Sequence, residues 1–485
     1  MSSNNETQVV SDFNELNVSE NSISVKTNHK NCYDPYNDKF WCKECVPRCI
    51  IEGWTSGNDD IDNLIKDSIY DTCRGEYIGN GKYSPSFLKW VPFDRFEDMK
   101  QIGEGGFAKV YSATWIDGDA KYIKQDDGNW IKEEPKSMKV ALKRLNGSQN
   151  MSADYLNELK THWKLNCAQL DSLKFYGMTK DPKTEEFIMI MQFASRGNLK
   201  NILSSNFKNI LWDEKVMYLT GAAEELKNLH SLGYFHKDFH SGNMLSDSDI
   251  SFFISDFGLS RSSNEQKSDN KIVGVLPYIA PEVLNGEPYT LSSDIYSFGV
   301  IMAEVSSGKP PFYKRKHDNN LALEICNGLR PKFGKGTPEI YKKLAHRCMN
   351  ADPNQRPTAN ELSEILCCWY YYEDNEKYGY KVEEVKAVFG KADKEIQNIS
   401  TLCEKDPDAI YTSRAFTFKN LSKPINSSFI ATTYLDNKDC QDSQLIDLEV
   451  PSTSKLEDLK KLLAKLIAPT QINCCQTVVN RGLIR

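Results

Sequence analysis

The sequence contains no apolar run approaching the roughly 18 residues needed to cross a bilayer, and no charged-then-apolar leader opens it. A soluble, cytoplasmic chain is expected, with the nucleus as the alternative compartment. A basic excess is also missing: 60 Lys and Arg stand against 67 Asp and Glu, for a formal charge of −7. A dedicated nucleic-acid binder would show the opposite balance on at least one face, because its affinity comes from phosphate contacts. No internal repeat is visible, which leaves no ground for a solenoid or propeller. No secretory context accompanies the 14 cysteines, so they are expected mainly as reduced thiols. Cys367/Cys368 and Cys474/Cys475 are adjacent pairs and poor disulfide partners.

What is present falls into unequal parts. Residues 1–28 are rich in Ser and Asn and poor in large apolar side chains, a composition that cannot offset the entropy of ordering, and disorder is expected. In residues 29–50, His29, Cys32, Cys42 and Cys45 give H-x2-C, a nine-residue spacer and C-x2-C. That spacing is close to a small zinc ribbon, with Cys49 as an alternative fourth ligand, so Zn2+ is a candidate there. The alternative is a set of reduced thiols. Residues 51–93 read as a linker with one short helix, because Ile61, Leu64, Ile65 and Ile69 recur at helical spacing. Residues 372–485 read as an irregular tail with an amphipathic helix near 454–467, where Leu456, Leu459, Leu463 and Leu466 share a face. That helix either docks on its own domain or receives a signalling partner. Residues 409–418, "AIYTSRAFTF", read as a strand or a docking peptide, and the sequence does not choose between them.

Residues 94–371 carry the chemistry. "GEGGFAKV", Gly103 to Val110, lies between two β-type runs. Glycines there let backbone N–H groups approach a polyanion that a Cβ would hold off, although an ordinary hairpin looks the same. In "VALK", Lys143 ends an apolar strand, where an amine needs a partner, and Glu158 on the following helix is the natural one. In "HKDFHSGN", Asp238 and Asn243 are five apart in a loop, and "ISDFGLS" adds Asp256 after a β-type run. A hydroxyl that must lose its proton needs an oxygen acceptor, and a magnesium nucleotide needs hard oxygen ligands. Asp238 suits the first task; Asn243 and Asp256 suit the second.

Taken in order, the glycine hairpin, Lys143, Glu158, Asp238 with Asn243, Asp256-Phe257-Gly258 and Ala280-Pro281-Glu282 resemble the signature set of eukaryotic protein kinases. "LPYIAPE", "SDIYSFGV" and "HSGN" are similar to the tyrosine-kinase-like group of serine/threonine kinases. The resemblance implies an α+β, two-lobed fold: a small antiparallel β lobe with one helix over 94–193 and a larger, mainly helical lobe over 198–371. It implies ATP and Mg2+ as cofactors and protein substrates phosphorylated on hydroxyls, Ser or Thr before Tyr. Lys143 would hold the phosphates and pair with Glu158, Asp238 would accept the hydroxyl proton, and Asn243 and Asp256 would bind magnesium. The nucleotide would lie under Ile102, Gly103, Glu104, Gly105, Gly106, Phe107, Ala108, Lys109 and Val110. Val110 and Ala141 would cover the adenine from above and Leu245 from below. Met191 is the implied gatekeeper, with Gln192, Phe193 and Ala194 as the hinge. Glu282 and Arg356 would form a buried ion pair, and Asp294 would accept from backbone groups of the catalytic loop.

The sequence departs from that pattern at a few positions. Lys237 stands where the family carries arginine, and a point charge suits a phosphorylated loop less well than arginine's fork. His240 and Val275 replace residues that normally distinguish hydroxyl preference. They sustain the rival reading, an ATP-binding pseudokinase scaffold or adaptor without phosphotransfer. Against it, every charged group that phosphoryl transfer requires is present. His162, four residues after Glu158, reads as a packed core histidine and not a pH switch. Ser260, Ser262, Ser263 and Ser268 are candidate phosphosites in the 256–282 segment.

Overall fold

The computed structural model describes residues 33–427, apart from 38, 73–74, 80–81, 106–107, 127–128, 135, 169–171, 249–251, 263–271, 375–376 and 419–420. Segment 1–28, His29, Cys32, Gly106, Phe107, Ser263, Ser268 and the helix expected near 454–467 lie outside the described residues.

The segment before residue 94 does more than link. Asn58 caps helix α1 (Asp59–Tyr70) by accepting from the Ile61 N–H at 3.1 Å, which satisfies one of the donors a helix start leaves unpaired. Ile61, Leu64, Ile65 and Ile69 line one face, as their spacing predicts, and all are buried. With Phe40, Trp41, Phe87 and Leu88 they pack against Leu159, Phe175, Met189 and Met191, so this extension and the small lobe share one core.

The extension also supplies the edge strand β1 (Lys89–Trp90) to a six-stranded sheet. Its other members are β2 (Phe96–Glu104), β3 (Ala108–Trp115), β4 (Met138–Leu145), β5 (Phe175–Lys180) and β6 (Phe187–Gln192). The order is β1-β5-β6-β4-β3-β2, antiparallel throughout except for β1 beside β5. Gly177 in β5 has φ +149°, and a Cβ there would overlap the Lys89 carbonyl, so only glycine admits this edge strand. Between β3 and β4, Tyr122–Lys124 and Trp130–Lys132 form a hairpin insertion, and Trp130 meets Trp41 edge-on at 5.0 Å.

Period-two alternation sorts the sheet's side chains. On β6, Ile188 and Ile190 join Val140, Leu142 and Trp115 on one face. Phe187, Met189 and Met191 point to the other, where Leu159 of helix α2 (Ala153–Ala168) packs. On β4, Ala141 belongs to the α2 side. Lys143, two residues on, therefore emerges towards α2.

The large lobe is built from α3 (Leu199–Asn206), α4 (Trp212–Ser231), α5 (Leu291–Ser307), α6 (Asn319–Cys326), α7 (Glu339–Cys348), α8 (Ala359–Tyr371) and α9 (Val382–Ile396). Helix α5 is buried on every side from Ser293 to Ser306, the position an all-round apolar helix requires. Helix α9, in the segment read as irregular, turns Val385, Phe389, Ala392 and Ile396 into the same core, with Phe389 stacked on Trp212 at 5.7 Å. The architecture is the α+β, two-lobed one. Among the described residues no helix is long and apolar enough to cross a membrane. Cys49, Cys326, Cys348, Cys367 and Cys403 are free thiols, and Cys167 is disulfide-bonded.

Lys215 on α4 is fully buried, its ammonium 4.2 Å from the Phe207 ring centre and 4.9 Å from that of Trp212. It finds no hydrogen-bond acceptor among the described residues. Burial pushes its pKa down to about 7, against a weaker opposing pull from Asp393. A lysine depressed in this way binds fewer protons folded than unfolded, so the chain is destabilised while the unfolded amine is charged, and stability rises with pH from about 7 to about 10.5. Lys215→Met is expected to raise the urea midpoint at pH 7, with the advantage over wild type shrinking as pH rises through that window. An advantage that stays constant across the window contradicts the assignment.

Candidate active site

Lys143 leaves β4 on the α2 side and donates to Glu158 Oε1 and, at 2.8 Å, to Asp256 Oδ1. Lysine and glutamate are nearly buried, while the Asp256 side chain is about half exposed (48%). Burial alone would push the Lys143 ammonium towards neutrality, but the Asp256 and Glu158 carboxylates overcome it and hold the amine above its ordinary pKa. Burial works against Asp256 as well, yet the Lys143 charge holds its carboxyl down at about 2. Glu158 is the strained member: burial raises its pKa and Lys143 only partly restores it. Two contacts missing from the sequence reading tie α2 to the segment after Asp256. Asn157 Nδ2 donates to the Ser260 carbonyl at 3.0 Å, and Arg261 Nη2 donates to Asp154 Oδ1 at 2.9 Å. Their only sequence signal is position, because Asp154 and Asn157 share the stretch of helix that carries Glu158.

Strands β7 (Met244–Ser246) and β8 (Phe252–Ile254) explain why Asn243 and Asp256 meet. They pair antiparallel with Met244 opposite Ile254, so the residue before β7 and those after β8 emerge at one end. The Ser255 N–H donates to the Asn243 carbonyl at 2.9 Å, and Asn243 Nδ2 donates to the Asp238 carbonyl at 3.0 Å. Lys237 and Asp256 both hold left-handed backbones, φ 69° and 68°. Such conformations cost about 1–3 kcal/mol each and persist only where neighbours enforce them. For Lys237 the enforcer is Asp294, whose carboxylate accepts from His236 N at 2.7 Å and Lys237 N at 3.1 Å.

Asp238 is buried. The nearby His240 accepts from the Gly242 N–H through Nδ1 at 3.0 Å. In the neutral ring the proton is then on Nε2, which faces Asp238 Oδ2 at 3.7 Å. His162 is packed edge-on to Phe257 at 4.7 Å. Burial, reinforced by the Lys143 charge, pushes its pKa down to about 3, so it stays neutral near pH 7.

The glycine hairpin closes with the Gly105 N–H donating to the Ala108 carbonyl at 2.9 Å, Gly103 opposite Val110 and Glu104 opposite Lys109. Ile102 is half exposed (51%), Ala108 is buried, and Gly106 and Phe107 are outside the described residues. Met191 is buried, Ala141 and Leu245 are partly buried in the same cluster, and Gln192 bonds the Lys174 backbone. Lys139 lies 4.4 Å over the Phe193 ring, and the Ala194 carbonyl accepts from Gly197 N at 3.0 Å. In the amino-terminal extension, the Cys42 and Cys45 sulfurs are 3.4 Å apart. Among the described residues no group of three or more metal-ligating side chains assembles.

A β lobe set over a helical lobe, with a lysine held between a helix glutamate and a loop aspartate, is the architecture of a protein kinase. The family model described as protein tyrosine and serine/threonine kinase matches residues 96–366, and the chain belongs to that family. It is similar to a probable serine/threonine-protein kinase of Dictyostelium discoideum, 27% identical over 62% of this chain and 17% of that protein. It is also similar to a putative serine/threonine-protein kinase/receptor of Acanthamoeba polyphaga mimivirus, 29% identical over 64% of this chain and 18% of that protein. A probable L-type lectin-domain containing receptor kinase of Arabidopsis thaliana is 27% identical over 56% of this chain and 42% of that protein. The chain thus spans less than a fifth of the length of the first two.

Glu282 and Arg356 form a buried ion pair in the large lobe. Arg356 donates to both oxygens of Glu282, at 2.7 and 2.6 Å, and also to the Asn350 and Ser292 carbonyls. Removing one member leaves the other charge buried and alone, which costs about 3–5 kcal/mol. Arg356→Leu is expected to lower the unfolding free energy by about that amount in urea titration, and a loss below about 1 kcal/mol, the scale of an exposed pair, contradicts the account.

Proposed function

We propose that this chain is an active protein kinase that transfers the γ-phosphate of ATP to serine or threonine hydroxyls of proteins. The observation that carries the reading is the cluster of Lys143, Glu158 and Asp256, with Asp238 and Asn243 bonded to each other beside it. The pseudokinase alternative would be favoured by a missing or displaced member of this set. The relatives' printed names support the serine/threonine preference.

The donor set fits a magnesium nucleotide. The Asn243 amide N–H is committed to the Asp238 carbonyl, which leaves its oxygen for a cation. Asp256 offers a half-exposed carboxylate that stays ionised. Hard oxygens of this kind suit Mg2+, which when bound neutralises phosphate charge. In this reading Lys143 binds the phosphates, Glu158 keeps Lys143 aimed at them, and Asp238 orients the acceptor hydroxyl and takes its proton. His240 Nε2 faces Asp238 Oδ2 at 3.7 Å.

The test is labelling of a generic protein substrate by wild type, Lys143→Met and Asp238→Asn, followed by phosphoamino-acid analysis. Asp238→Asn should lower kcat by about 10²–10⁴-fold, the usual share of a positioned base, with phosphoserine or phosphothreonine as product. Equal labelling by all three contradicts the kinase reading, and phosphotyrosine alone contradicts the stated preference.

We further propose zinc in the amino-terminal segment: the Cys42 thiol donates to the Cys45 sulfur at 3.4 Å, so this C-x2-C pair is placed to give two of the four ligands that a structural zinc takes. About one zinc per chain is expected from elemental analysis, falling on Cys42→Ser. A zinc-free wild type contradicts it.

A further inference from the structure

Residues 409–418 contain a strand, and its partner is the segment that follows Asp256. Strand β10 (Arg414–Phe416) pairs antiparallel with β9 (Ile272–Gly274), placing Arg414 opposite Gly274 and Phe416 opposite Ile272. Gly274 has φ +143°, and a Cβ there would stand 3.3 Å from Asp238 Oδ1. The tail therefore runs one strand spacing, about 4.8 Å, from a residue that touches the proposed base.

Side-chain burial along the tail singles out one hydroxyl. Thr412 and Thr417 are exposed. The Tyr411 hydroxyl is taken up by the Pro311 carbonyl at 2.8 Å. The Ser413 hydroxyl is shut off from solvent and has no hydrogen-bond partner among the described residues. A buried polar group left unpaired calls for an explanation, and Ser413 immediately precedes the residue opposite Gly274. The seat is built, not incidental. Arg414 Nη2 donates to the His317 carbonyl at 2.7 Å, Phe416 and Phe418 stack at 5.2 Å against the large-lobe core, and Asn426 bonds both Asn350 and Ala351.

We propose that residues 411–418 lie in the channel of the peptide substrate, by strand addition to β9, and that Ser413 is an intramolecular phosphoacceptor. The proposal rests on the kinase reading above. Ser413 Oγ forms a bond to the γ-phosphorus of ATP as the bond from that phosphorus to the β,γ-bridging oxygen breaks. The hydroxyl proton passes to Asp238, and ADP and phosphoserine are the products. The new phosphate brings about −1.5 to −2 charges beside Asp238, which expels the strand and opens the channel. Before that event the tail competes with any other substrate.

The full chain is incubated with magnesium and ATP at several chain concentrations, and phosphopeptides are mapped by mass spectrometry, with an added serine peptide as second acceptor. Phosphate is expected on Ser413 at a first-order rate that does not change with chain concentration. Ser413→Ala should lose this label and still modify the added peptide. In a Ser413→Ala background, where the tail cannot be expelled by phosphate, Phe416→Asp, which unseats the strand, should lower KM for the added peptide about tenfold at unchanged kcat. That factor is the ratio of a roughly millimolar effective concentration to an affinity of about 0.1 mM, mid-range for enzyme substrates. Independently of catalysis, Phe416→Asp should speed amide hydrogen exchange at 272–274 and 414–416. Transfer to the added peptide with Ser413 unmodified, or a rate proportional to chain concentration, overturns this proposal and leaves the kinase reading standing. No transfer to either acceptor overturns both, and unchanged exchange together with unchanged KM overturns the seating of the tail.

Discussion

The ammonium of Lys143 is shared by Glu158 and Asp256, and this one charge ties a strand, a helix and a loop together across more than a hundred residues of sequence. Each partner is placed where it could not stay alone. Glu158 is buried, and a buried carboxylate without its cation is costly enough to take up a proton instead. Asp256 sits on a left-handed backbone that only its surroundings sustain. The position of α2, the aim of the lysine and the direction of Asp256 are therefore one problem with one solution. The contacts of Asn157 and Asp154 to the segment after Asp256 depend on the same placement of α2.

That helix is gripped from two sides. Glu158 faces the ion cluster, while its neighbour Leu159 is buried among the residues that receive α1 and the aromatic side chains of the extension. The amino-terminal extension is thus part of what holds Glu158 in place, and it continues into the sheet through β1. At the other end of the chain, α9 and the segment beyond it cover the large lobe and reach the segment over Asp238. One flank bears on the cleft through the position of α2, and the other pairs with the strand that ends at Gly274, beside Asp238.

The cleft was legible in the sequence because its residues sit in local patterns with physical reasons. Lys143 closes an apolar strand, Glu158 follows on the next helix, and Asp238, Asn243 and Asp256 bracket a short hairpin whose ends must coincide. What escaped was non-local. Strand β1 has two residues and exists only because Gly177, far downstream, lets Lys89 approach. The pairing of Arg414–Phe416 with Ile272–Gly274 carries no signal in either segment, since a strand's partner is not written in its own residues. Helix α9 did have a periodic face, Val385, Phe389, Ala392 and Ile396, but Lys and Glu between those positions diluted it to a polar stretch.

If the Lys143 cluster is the seat of a magnesium nucleotide, Asp256 must couple metal to ATP. The direct measurement is calorimetric titration of ATP into wild type and Asp256→Asn, each with and without Mg2+. The account predicts that Mg2+ tightens ATP binding to wild type and that this enhancement disappears in the variant. An equal Mg2+ enhancement in both proteins would contradict it.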